Sequence, residues 1–115
     1  MLDVQAALTA AGVPSYRAAF RPMAGQENPP PVYCIWTQTK TPIWDHDDGF
    51  SAVRLRAFLH LLSASDPEET MAFIRDQMGV QGFRWVRETD PEYQDDAGLY
   101  EILSEWEGTR IGREV

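Results

Sequence analysis

Lysine is nearly missing from this chain, and so is cysteine. Lys40 is the one lysine; the remaining nine bases are arginines, and ten bases against eighteen acids leave a formal charge of −8. Such a surface repels duplex DNA and anionic membranes, and no basic stripe offsets it. Conventional nucleic-acid binding is thereby excluded, although work beside DNA is not. Cys34 is the sole cysteine, so no disulfide forms within one chain. It sits in the apolar run VYCIW, where a thiol acts as a small hydrophobe more than as a nucleophile. Glycine-rich phosphate loops, Cys/His zinc spacings, a G-x-S-x-G turn and a usable serine–histidine pairing are all missing from the sequence. The opening MLDVQAALTAAG lacks a basic leader segment and is too short to span a bilayer, which predicts cytoplasmic synthesis without secretion.

What is present has the makeup of a globular domain. With 115 residues, 43% hydrophobic and 24% charged, the chain fits one folded unit better than a disordered one. A core this small gives marginal stability, which oligomerisation would increase. No repeat or interdomain linker interrupts it.

Val4, Ala7, Leu8 and Ala11 recur at helical spacing over residues 2–11, and Gly12-Val13-Pro14 ends that helix. Alternation over 15–21 predicts a short strand, and RPMAGQENPPP a loop. Residues 32–40 form a second strand that Pro42 is expected to end. IWDHDDG, 43–49, then reads as an exposed turn. From Phe50 to Leu62 the period is two: Val53, Leu55, Ala57, Leu59 and Leu61 on one side, Arg54, Arg56, Phe58 and His60 on the other. Asp66-Pro67-Glu68-Glu69 starts a helix carrying Met71, Ile74 and Met78 to a stop at Gly79. Strands at 82–89 and 98–107 follow, joined by a turn at Asp95–Gly98, with 109–115 as a frayed tail. The order α-β-β-β-α-β-β predicts an α+β fold: a largely antiparallel sheet with both helices on one face.

Four constellations carry whatever chemistry there is. Asp45-His46-Asp47-Asp48 has oxygen and imidazole donors for a divalent metal, but lacks ligands from a second element and reads as a solvated turn. Glu88, Asp90, Glu92, Asp95, Asp96, Glu101, Glu105 and Glu107 form an acidic stretch with no base among them. Paired carboxylates can do acid–base work. Without a nucleophile or positioning group nearby, these read as one solvated or charge-complementary face. Trp44, in a polar segment, is either an interface anchor or a lid folded back on the sheet. Arg54 and Arg56, on the outer side of the long strand, pair with that acidic stretch in the same chain or in a neighbour. No catalytic residue, cofactor or metal site is assigned.

The segments AAGVPSYRAAF, PPPVYCIWTQT, DDGFSAVRLRAFLHLLS, DPEE and GLYEILSEWEG come in an order that resembles the tail-completion proteins of long-tailed phages. These are also called tail-terminator or tail-to-head joining proteins. Pro31–Tyr33, the strand 50–62, the helix 66–79 and Trp106 occupy that family's landmarks, over about residues 2–108. The resemblance implies a non-enzymatic subunit of the virion tail, made in the host cytoplasm, that forms a ring of commonly six copies. The ring would end the tail tube, meet the tube protein and the head connector, and let DNA pass through an acidic lumen. Interface candidates are then Trp44, Asp45, Asp47, Asp48, Arg54 and Arg56, with loops 22–31 and 41–49 making contacts. The acidity also suits a DNA-mimic inhibitor, and the Asp45–Asp48 cluster a small metal enzyme.

Overall fold

A computed structural model describes residues 1–20, 29–45 and 50–113, with backbone alone at 44–45, 50–51 and 112–113. Helix α1 (Val4–Ala10) leads into strands β1 (Ser15–Arg17), β2 (Val32–Asp45) and β3 (Phe50–Ser63). Helix α2 (Glu68–Val80) follows, then β4 (Arg84–Glu88), β5 (Glu92–Gln94) and β6 (Leu99–Arg113). The fold is α+β. Its sheet runs β1-β2-β3-β6-β4, with β5 also paired to β6. Every described pairing is antiparallel except the parallel one between β1 and β2.

The long strand β3 sets the two faces. Residues paired across a ladder share a face, and alternate residues change face. Leu55, Ala57, Leu59 and Leu61 therefore point with Cys34 and Trp36 of β2 and with Ile102 and Trp106 of β6, and all of these are buried. Both helices cover this side. Val4, Ala7 and Leu8 of α1 join Met71, Ile74 and Met78 of α2 in one apolar cluster with the strand residues. The helical and alternating periods read from the sequence meet there.

Helix ends follow backbone chemistry. At α1, Gly12 takes φ +76°, and the Val13 N–H donates to the Leu8 carbonyl. At α2, Gly79 stays inside the helix; the stop is Gly82 at φ +95°, with the Phe83 N–H donating to Met78 O. A left-handed residue returns the chain and satisfies the last carbonyls, and Gly82 is the one with that dihedral. The Asp66 carboxylate accepts from the Glu68 N–H, just ahead of the Pro67 N-cap, so the start lies slightly later than expected.

Three expectations need correction. The strand after Pro14 ends at Arg17, because Ala18 adopts φ +70° and turns the chain away. Pro42 does not end β2, which runs on to Asp45, so 41–45 is strand and not loop. β1 accompanies β2 only as far as Trp36; beyond it β2 has no described strand on its outer side, where proline is tolerated. The register slips between Pro42 and Trp44, a bulge that twists this free edge. Residues 109–113, expected as tail, extend β6 along β3 as far as the Phe50–Arg113 pair. Thr109, Arg110 and Ile111 there border a groove with Leu2, Gln81 and Gly82 at the helix ends. The segment before the Asp95–Gly98 turn contributes the short strand β5.

Cys34 lies fully buried, and burial pushes its thiol from 9.0 up to about 12. A buried neutral thiol contributes stability that is intact below pH 9 and is lost as pH rises toward 12, since the unfolded chain ionises first. Chemical denaturation across that range will show this loss in the parent chain and not in Cys34→Ala. A thiol reagent at neutral pH will label Cys34 only as the protein unfolds. Leu59→Ala, at the centre of the covered face, will lower unfolding stability by about 2–5 kcal/mol in the same assay.

Candidate interaction surface

The other face of the sheet is uncovered by any described helix. Along β3 it carries Arg54, Arg56, Phe58, His60 and Leu62; along β6, Glu101, Leu103, Glu105, Glu107 and Thr109; along β2, Tyr33, Ile35, Thr37, Thr39 and Thr41. The ladder aligns these residues in rungs. Ile35, His60 and Leu103 form one rung, Thr37, Phe58 and Glu105 the next, and Thr39, Arg56 and Glu107 the one after.

An apolar centre with a charged frame results. Phe58 is 38% exposed and Leu103 44%, large values for such side chains on a sheet interior. With Ile35, Thr37, His60 and Thr89 they line an open groove of about 540 Å³. Thr89 borders it by exchanging hydrogen bonds with Leu103: its N–H donates to Leu103 O, and its hydroxyl accepts from the Leu103 N–H, both at 2.9 Å. At the β1 edge of this face Tyr16 meets Phe20 and Tyr33 edge to face and Phe20 lies tilted against Tyr33, with centroids 4.9–6.2 Å apart. Burial, and then the neighbouring Tyr16, raise the Tyr33 phenol above its ordinary pKa.

The frame consists of ion pairs within the chain. Glu105 is buried, and Arg87 of β4 lies over it, with Nε and a terminal nitrogen donating to Oε1 at 3.2 and 2.9 Å. Glu107 receives three arginines: Arg84 at 3.1 Å, Arg56 at 3.7 Å and Arg54 at 3.8 Å. His60 Nε2 stands 3.1 Å from Glu101 Oε1 but is misaligned for a hydrogen bond. Arg54 and Arg56 thus find their carboxylate in their own chain.

The acidic stretch does not form one face. Glu101, Glu105 and Glu107 are on the open side. Glu88 aligns with Ser104 toward the helices, where Arg75 clamps it through two donors. That hydrogen bonding raises the Arg75 pKa still further. Asp90, Glu92, Asp95 and Asp96 are exposed near the β5–β6 turn and pair with no base among the described residues. Glu88, Glu105 and Glu107 are neutralised locally by arginines, and Asp90, Glu92, Asp95 and Asp96 are left to solvent.

The loop candidates divide differently. Trp44 and Asp45 are in β2, paired with Ala52 and Ser51, and nothing further is assigned to their side chains. His46, Asp47 and Asp48 lie outside the described residues, as does most of the 22–31 loop. Among the described residues no cluster of three or more His, Cys, Asp or Glu could hold a metal, and no helix is long and apolar enough to cross a membrane. Sequence reasoning missed the groove. The signal was there in Phe58, in Leu103 and in the TQT of β2, since large apolar groups on the charged side of two neighbouring strands converge once the strands pair. No protein-family model matches the chain, and neither does any curated protein.

Glu107 is the clearest test of the frame. Glu107→Ala will leave three arginines without their shared carboxylate and lower stability by about 1 kcal/mol, because the arginines are well exposed. The loss, measured by urea denaturation, will shrink as salt is raised.

Proposed function

We propose that this protein is a structural assembly subunit that packs against copies of itself, of the kind that forms the tail-completion ring of long-tailed phages. The observation carrying this reading is the uncovered sheet face. Glu105 in the groove wall is already paired with Arg87, so covering the groove buries Phe58 and Leu103 without stranding that carboxylate. Phe73, Val80 and Trp85 are 51–64% exposed on the helix side. Apolar groups on opposite sides favour unlike surfaces meeting, head to tail, which closes into a ring when the rotation permits. The resemblance of the chain from AAGVPSYRAAF to GLYEILSEWEG adds the tail, the tube protein and the head connector as setting and partners. The DNA-mimic reading is weaker, because Glu88, Glu105 and Glu107 are taken up by the chain's own arginines.

Phe58→Asp and Leu103→Asp test the face directly. Both positions are partly exposed, so the variants should fold, as checked by circular dichroism. In sedimentation velocity and negative-stain imaging the parent will form closed oligomers, and each variant will stay monomeric. In a phage carrying the gene, deletion or either substitution will yield heads and tails that remain unjoined. Variants that assemble and join normally would remove this face from the account.

A further inference from the structure

Three other cations stand apart from the ion pairs described above. Arg17 of β1, Lys40 of β2 and Arg110 of β6 converge on the helix side of the sheet, around a second groove of about 440 Å³ near Met1–Val4. None of them is within ion-pairing distance of a carboxylate among the described residues. Asp3 also borders this groove, but its carboxylate is engaged in accepting from the Ala6 N–H at the start of α1. Trp36 contributes to the groove wall. It is 7% exposed, and its Nε1–H is buried with no acceptor. The Arg17 guanidinium lies 5.2 Å from the Trp36 ring centroid, a cation–π contact that fixes its position. The groove therefore presents three cations and an unsatisfied donor, and it calls for an anion.

We infer that this groove is the socket for the acidic β5–β6 turn of a second copy, with Arg17, Lys40 and Arg110 receiving Asp90, Glu92, Asp95 and Asp96. The inference rests on the self-assembly proposed above and names which two surfaces meet. Charge complementarity identifies the occupant. The cations left over on one surface answer the carboxylates left over on another, after Glu88, Glu105 and Glu107 of the acidic stretch have each found an arginine. The turn is exposed and leads into the start of β6, at the opposite end of that strand from Arg113, with β5 Glu92 opposite Glu101 of β6. The socket spans the sheet from β1 and β2 to the far part of β6, where Arg110 lies twelve residues beyond Gly98. Contacts between two unlike surfaces cannot be two-fold related patches of one kind; they run head to tail. A polynucleotide suits the socket less well. It carries charge continuously along its length and would be drawn across the rest of an acidic surface.

Two charge-reversed variants test this pairing. Lys40→Glu/Arg110→Glu makes the socket acidic, and Asp95→Lys/Asp96→Lys makes the turn basic. All four positions are exposed, so folding should persist, and Lys40→Gln/Arg110→Gln serves if the first variant melts early. In sedimentation velocity each variant alone will associate at least about tenfold more weakly than the parent. Mixed in equal amounts, the two will reassociate, since each supplies the charge the other lacks. Parent association will weaken between about 50 and about 500 mM salt. If the parent assembles and both variants assemble equally well, the socket assignment is wrong while self-assembly stands. If each variant dissociates but the mixture does not recover, the two patches are not partners. A parent that stays monomeric at every concentration and salt overturns the self-assembly reading and this one with it. Inorganic phosphate or an oligonucleotide binding at Lys40 and Arg110 without competing with self-association would make the groove an anion site of another kind.

Discussion

The structure depends on the one-sided burial of β3. Its alternate residues Leu55, Ala57, Leu59 and Leu61 carry the core, and each is at most 2% exposed. Everything else is placed by that choice. The ladders to β2 and β6 impose the same sidedness on Cys34, Trp36, Ile102 and Trp106, and the helices lie where those residues point. Because the strand has a strict period of two, a slip of one residue would carry Arg54, Arg56 and His60 to the covered side and expose the leucines. That penalty fixes the register, and the register in turn aligns Phe58 and Leu103 with their frame of ion pairs.

The open face follows from the same constraint. Two short helices suffice to cover one side of a sheet and leave none for the other. The protein compensates by building charges into rungs, so that glutamates on β6 meet arginines on β3 and β4. The pairs are close enough to order the side chains, and most of the arginines are solvated enough for the energies to stay small. Their main effect is geometric: they hold long side chains aside and leave the apolar centre clear.

Local rules carried the sequence reading as far as they extend. Periodicity located both helices and the long strands, and the Asp95–Gly98 turn was legible from its residue types. Pro42 misled because its effect depends on a neighbour: it breaks a central strand and is tolerated on an edge, and the short reach of β1 makes β2 an edge there. Gly79 misled because a glycine near a helix end resembles a stop, while the dihedral was taken up three residues later at Gly82. The acidic stretch was visible as composition, but its division was not. Whether a glutamate is neutralised or left to solvent depends on which strand lies beside it, and Glu107 reaches arginines 53, 51 and 23 residues away in the chain. The groove around Phe58 needed the same long-range pairing to exist at all.

One consequence concerns the edge of β2 beyond Trp36, which has no strand beside it among the described residues. A strand whose outer hydrogen-bonding groups have no neighbour is a template on which another chain can add itself, and repeated addition leads toward fibrils. Pro42 withholds a donor from that edge, the bulge beside it bends the ladder out of line, and Lys40 sets a charge close by. Backbone recruitment is thus blocked where it would be indiscriminate, and recognition is left to side chains. The strands thereby stay out of an unbounded sheet.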